Sequence, residues 1–251
     1  MKNFICMIIF FICLLLNINL IYKDIPEFNQ FSFQDTASFN GNNLVFFHDQ
    51  IMFYIIIILV LVGWLLFSVI RNNYFYKFLL ENNFIEVIWT SIPAIILVLI
   101  ATPSLYLLYS IDENIEPSLT IKVVGHQWYW SYEYSNFLLD VEFDSYMIPT
   151  IDLNNGDFRL LETDNDAVVP AYVGITVIVP SADVIHCWTV PSLGIKIYAT
   201  PYNKTCYRRY NRPGKFFGQC SELCGLNHSF MPISINSVSQ EKFINWIINK
   251  H

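Results

Sequence analysis

Residues 220–231 read CSELCGLNHSFM and place Cys220, Cys224, His228 and Met231 at intervals of four, four and three, with Glu222 between the cysteines. Thiolate, imidazole and thioether are soft or borderline donors that suit copper and zinc rather than magnesium or calcium. Without Cys220, and with His186 from upstream, the donors form the ligand set of a mononuclear blue-copper site: two imidazoles, one thiolate and a weak axial thioether. Cys220 adds a second thiolate on the same loop. Two thiolates can bridge two copper ions, leaving one histidine for each. Zinc competes, because two Cys and two His satisfy a tetrahedral site. However, Cys-x3-Cys-x3-His is not a usual finger spacing, and zinc leaves Met231 only a packing role. There is no Cys-x-x-Cys-His for heme attachment, and three intervening residues fit a redox dithiol poorly.

The segments around this loop read as β structure. LTIKVVGHQWYWSYEY (119–134), FRLLETDN (158–165), AYVGITVIVPSADVIHCWTVPSLGIKIYAT (171–200) and FMPISINSVS (230–239) are rich in β-branched and aromatic residues and punctuated by Pro, Gly, Asn and Asp. Short strands at such spacing predict a sandwich or barrel. Alternation puts Trp128, Trp130, Tyr132 and Tyr134 on one strand face. The closing run SQEKFINWIINK (239–250) predicts a helix with Ser239 at its N-cap.

The first half of the chain is different. Of 251 residues, 54% are hydrophobic and only 14% charged, a balance that points to membrane segments. Residues 4–16 are 13 apolar residues after Lys2, which predicts a leader-like segment over 1–22 that is open to cleavage. Residues 51–70 and 87–111 carry no charge, and each can cross ~30 Å of hydrocarbon. Together they predict a transmembrane hairpin within 44–111, followed by an external domain over 112–251. Arg71 and Lys77 in the connection, against Asp112, Glu113 and Glu116 after the second span, put the connection inside and both ends outside.

The net charge of −7 excludes nucleic acid as a partner, since that needs basic patches. From Asp112 to Asp183 there are 13 acidic and two basic residues, whereas Val184 to His251 has two acidic and eight basic. A one-sided block of this kind suits a basic protein partner. Of the six cysteines, Cys187 and Cys206 fall outside both the motif and the first apolar run; they are either a disulfide or two buried thiols.

The chain resembles subunit II of cytochrome c oxidase from about residue 44 onward. The resemblance is carried by EVIWTSIPAIILVLIATPSLYLLYSIDE (86–113), GHQWYWSYEY (125–134), FDSYM (143–147), RLLETDN (159–165), SADVIHCWTVPSLGIK (181–196) and FGQCSELCGLNHSFMPI (217–233), in that order. It implies a membrane-anchored α+β chain whose external domain is a cupredoxin-like Greek-key β-sandwich or barrel with a dinuclear copper A centre. Cys220 and Cys224 would bridge the two coppers, His186 and His228 would be terminal ligands, and Met231 and the Glu222 carbonyl would bind weakly. The Glu222 side chain would reach a magnesium ion shared with subunit I. Trp128 would receive electrons from cytochrome c, Glu86 would stand at the mouth of a proton path into subunit I, and Asp140, Asp164 and Asp183 would dock cytochrome c.

The implied activity is that of a cytochrome c oxidase, with this chain passing electrons to heme in subunit I for oxygen reduction coupled to proton pumping. A quinol-oxidase type of subunit II would lack the copper ligands, and a membrane-anchored zinc module would have no use for Trp128. Abundant Ile, Phe, Asn and Tyr with little Arg favour the mitochondrial inner membrane, with the C-terminal domain in the intermembrane space, over a bacterial plasma membrane. Two departures stand out. Cys187 occupies a position where the family usually has serine, and residues 1–43 match poorly.

Overall fold

The computed structural model of the chain describes residues 24–74, 77, 81–112, 117–134, 141–202 and 204–250. The leader-like segment, 1–22, and Asp140 lie outside the described residues. Two long helices come first, α1 (Phe39–Arg71) and α2 (Asn83–Asp112). Both are long and apolar enough to cross a membrane, and the most apolar stretch of each is unburied by the rest of the chain. Exposed Leu, Ile, Val and Phe side chains there are what lipid tails would cover.

α1 starts well before the expected span because Ser38 caps it: its Oγ accepts from the Gly41 amide at 2.9 Å. At 33 residues it is ~50 Å long, more than ~30 Å of hydrocarbon requires. Its Asn-rich first turns therefore stand in the aqueous layer. α2 is capped by Asn82, whose Oδ1 accepts from the amides of Phe84 (3.1 Å) and Ile85 (3.2 Å).

The chain before α1 is fastened to the β domain that follows the helices. The Ala37 amide donates to Ser192 O at 2.7 Å, Ser38 Oγ donates to Leu193 O at 2.6 Å, and the Asn211 amide donates to Ala37 O at 2.8 Å. Arg212 Nη1 reaches Asp24 Oδ2 at 3.0 Å. Anchor and domain thus share more than a linker.

The β domain is a sandwich of two five-stranded sheets, as the strand pattern and the resemblance led us to expect. One has the order β3-β2-β1-β5-β8, from β1 (Leu119–His126), β2 (Tyr129–Tyr134), β3 (Val141–Ser145), β5 (Gly174–Val179) and β8 (Lys204–Arg209). The other has the order β4-β10-β9-β6-β7, from β4 (Ala167–Pro170), β6 (His186–Val190), β7 (Ile195–Ala199), β9 (Gly214–Cys220) and β10 (Pro232–Val238). β1 pairs in parallel with β5, and β10 with β4; the other pairings are antiparallel. Leu119, Ile121 and Val123 alternate inward along β1 and meet Trp130, Tyr132, Trp188, Phe216 and Ile235 in one core. Burying each such side chain stabilises the fold by about 1.5–3 kcal/mol. The closing helix α3 (Gln240–Lys250) follows Ser239 directly and buries Phe243 and Ile247.

Two sequence expectations are corrected. Residues 158–165 form turns, not a strand. Asp164 Oδ1 there accepts from the Tyr146 and Asn165 amides, both at 2.7 Å; the second is a local bond of the kind that competes with a ladder, and pairing shrinks to one antiparallel bridge between Met147 and Thr163. Lys215 clamps this segment to β9, with Nζ 2.6 Å from Glu162 Oε2 and 3.2 Å from Asp166 Oδ2. Second, Trp128 is not on the strand with Trp130, Tyr132 and Tyr134. His126 pairs with Tyr129, so Gln127 and Trp128 are the two residues of the β1–β2 turn. The other three aromatics are fully buried.

Candidate metal centre

The centre forms where β9 leaves its sheet and the chain returns as β10. Cys220 ends β9 and pairs with Trp188 of β6, which brings the first residue of β6, His186, alongside it. Cys224 and His228 lie on the connecting loop, and Met231 immediately precedes β10. Three elements far apart in sequence thereby converge, and the β1–β2 turn covers them.

The two sulfurs of Cys220 and Cys224 are 3.9 Å apart. His186 Nδ1 lies 4.0 Å from Cys220 Sγ, and His228 Nδ1 lies 3.5 Å from Cys224 Sγ. Met231 Sδ is 3.6 Å from Cys224 Sγ, and the Glu222 carbonyl is 3.3 Å from Cys220 Sγ. The ligand atoms of His186, Cys220 and Cys224 all fall within 4.8 Å of one another, a set from which His228 is absent. Each sulfur therefore has its own imidazole: His186 beside Cys220, His228 beside Cys224. Met231 is buried, so it fills core volume and also turns its sulfur to the site.

The electrostatics are those of a site awaiting cations. Burial works against the Cys220 thiolate, but hydrogen bonds from His186, from backbone amides and from His228 bring its pKa down to about 7. Burial and the neighbouring Cys220 charge push Cys224 up to about 12. One thiolate forms readily; two side by side need positive charge between or beside them. Soft cations supply it, so the donor set fits copper.

His186 is fully buried, and its Nε2 meets Asp183 Oδ1 at 2.8 Å. Burial would depress its pKa, but the contacts with Cys220 and Asp183 prevail and raise it. Asp183 is pulled upward by partial burial, and the bonds from His186 and from the Gln127 and Val184 amides hold it below the usual carboxylate range. β1 comes close to this ring: a Cβ on Gly125 would lie 2.9 Å from His186 Cδ2, so only glycine fits there.

The β1–β2 turn is bound to the cysteine loop. Trp128 Nε1 donates to the Cys224 carbonyl at 3.2 Å, and Gln127 Nε2 donates to the same oxygen at 2.8 Å. Gly225, at φ 117°, lets the loop pass beneath them, because a side chain there would meet both residues at 3.1 Å. Trp128 remains half-buried.

The other sequence-predicted residues lie apart from this cluster. Glu86 sits in the first turn of α2, exposed, in a helix whose N-cap is already supplied by Asn82. Asp164 lies in the 158–165 turns. Cys187 and Cys206 are buried thiols, not halves of a disulfide. Cys187 Sγ turns to Thr189 Oγ1 at 3.4 Å, on the opposite side of the strand from His186. Gln127, Gly125 and Gly225 went unnoticed in the sequence reading, although GHQW lies where one alternating run gives way to the next.

Residues 119–238 match the family model for the periplasmic domain of cytochrome c oxidase subunit II, and residues 26–107 match the model for its transmembrane domain. Cytochrome c oxidase subunit 2 of Metridium senile is 51% identical over 235 residues, covering 92% of this chain and 94% of that protein. The protein of the same name from Drosophila bifasciata is 55% identical over 219 residues, covering 86% and 95%. Among solved structures, the periplasmic domain of subunit II of cytochrome oxidase from Bradyrhizobium japonicum superposes with a TM-score of 0.50 at 43% identity, covering 54% of this chain and 95% of that one.

Proposed function

Because the chain belongs to the cytochrome c oxidase subunit II family and is anchored in a membrane by its two helices, we propose that it is the electron-accepting subunit of the oxidase. It takes electrons from reduced cytochrome c and passes them to heme in subunit I, where oxygen is reduced to water and protons are pumped. The observation that carries this reading is the pair of sulfurs 3.9 Å apart, each with its own imidazole, lying under an indole bonded to the Cys224 carbonyl. Two copper ions held by His186, Cys220, Cys224, His228, Met231 and the Glu222 carbonyl would supply a one-electron carrier of low reorganisation cost.

The chain's own residues do the rest. Trp128 presents its half-buried ring to the donor and is one hydrogen bond from a cysteine ligand, which makes it the point of electronic contact. The acidic block, with Asp140, Asp164 and Asp183 among its members, attracts the basic donor. The Glu222 side chain would hold magnesium at the boundary with subunit I. Glu86, not needed as a cap, gathers protons at the inner mouth of a path into subunit I. The setting is the mitochondrial inner membrane with the β domain in the intermembrane space, a compartment supported by the animal relatives.

Stopped-flow reduction of the assembled oxidase tests this. Trp128→Ala is expected to leave association and its salt dependence nearly intact while slowing electron arrival at copper by orders of magnitude. Glu86→Gln is expected to slow turnover and leave copper reduction unchanged. A normal rate in Trp128→Ala, or association indifferent to salt, would contradict the respective assignment.

A further inference from the structure

Asp183 looks like one more member of the acidic surface, yet both its oxygens are taken up by hydrogen bonds within the domain. Oδ1 accepts from His186 Nε2 at 2.8 Å and from the Val184 amide at 2.6 Å, while Oδ2 accepts from the Gln127 amide at 2.6 Å. Gln127 in turn donates through Nε2 to the Cys224 carbonyl at 2.8 Å, the oxygen that also receives Trp128 Nε1. The bonds close a ring of parts: Cys220 beside His186, His186 on Asp183, Asp183 on Gln127, and Gln127 with Trp128 on Cys224.

We propose that Asp183 is a positioning residue which fixes His186 with one oxygen and seats the Trp128 turn on the cysteine loop with the other. An ionised carboxylate only accepts hydrogen bonds. In the neutral ring that bond places the proton on Nε2 and leaves the Nδ1 lone pair toward Cys220, the one tautomer that can act as a ligand there. The ring is fully buried, and Asp183 meets its Nε2 on the solvent side. The second oxygen ties the donor-facing turn to the same carboxylate, so the orientation of the ligand and the seating of the indole depend on one side chain. Carboxylate partners of ligating histidines typically contribute about 10–100-fold in metal affinity. Only this affinity effect rests on the copper reading above; the tautomer and the turn can be read without metal.

The full-length chain in detergent, metal-free and labelled with nitrogen-15, provides the test. The native protein is expected to show a single Nε2–H tautomer for His186 and a slowly exchanging Trp128 indole N–H. Asp183→Ala should give mixed tautomers and faster exchange of that indole proton. It should also give copper(I) affinity about 10–100-fold below the native chain in competition with a chelator. Asp152→Asn, which removes one charge of the same acidic block from an exposed turn, should leave all three unchanged. If Asp183→Ala fails to fold, Asp183→Asn serves, because its single acceptor oxygen can satisfy only one of the two links. A native tautomer and a slow indole proton in either variant would overturn the proposal and return Asp183 to the docking surface. If the native chain took up no copper while the tautomer shift appeared, the copper reading would fail and the positioning role would stand.

Discussion

The two imidazoles of the centre are held in opposite ways. His186 begins a strand, is fully buried, lies against Gly125 and is gripped by a carboxylate. His228 begins a short 3-10 turn on a loop, is half-buried, and lies 3.5 Å from Cys224 Sγ, with no carboxylate against its ring among the described residues. The strand-borne flank, His186 with Cys220, inherits its orientation from the sheet, whereas the loop-borne flank, Cys224 with His228 and Met231, is oriented by a few turns. A buried ligand fixed by the fold is tied to folding stability, while a loop ligand is tied mainly to metal binding.

The comparison is broken most severely by removing a sulfur. Cys220→Ser should reduce metal uptake to one ion or none, since a single thiolate leaves too few soft donors to hold two ions; metal analysis after gel filtration checks this. Next, His186→Ala and His228→Ala should part company in the metal-free chain. The first strands Asp183 and leaves a buried gap, at a cost of about 2–4 kcal/mol, while the second should leave the thermal midpoint near native. Equal midpoints would erase the distinction between the flanks.

The thiols sharpen it further through pH. Cys220, lowered from 9.0 to about 7, contributes stability that is present above its unfolded value and lost as pH falls through 7. Cys224, raised from 9.0 to about 12, resists ionisation in the folded state, so stability falls as pH climbs above 9. Denaturant titrations of the metal-free chain should therefore show a peak from which stability falls as pH drops toward about 7 and falls again as pH climbs above 9.0. Cys220→Ser should flatten the acid side of that peak, and Cys224→Ser the alkaline side. The smallest effect is expected from Met231→Leu, a near-isosteric change in a buried place costing under about 1.5 kcal/mol, with a modest shift of the near-infrared copper band.

What was legible in the chain depended on whether chemistry or geometry set it. The ligands stood out because two thiolates, an imidazole and a thioether within twelve residues have few other uses. The membrane helices stood out by composition, although their true starts did not, because Ser38 and Asn82 cap them well upstream of the apolar cores. The place of Trp128 was misread because unbroken alternation hides a two-residue turn, and only the pairing of His126 with Tyr129 reveals it. The inward role of Asp183 was written in its spacing from His186, three residues apart, but a carboxylate within an acidic block reads as surface until its oxygens are located. The turns at 158–165 carry strand-forming residues whose ladder is pre-empted by Asp164.

The central claim is that two sulfurs 3.9 Å apart, each with its own imidazole, hold a pair of copper ions. Metal analysis of the full-length chain, folded with copper and zinc both in excess and read together with its near-infrared absorption, tests it most directly. Two coppers per chain and an absorption band lost in Cys220→Ser are the expected result; one zinc with no copper would contradict it.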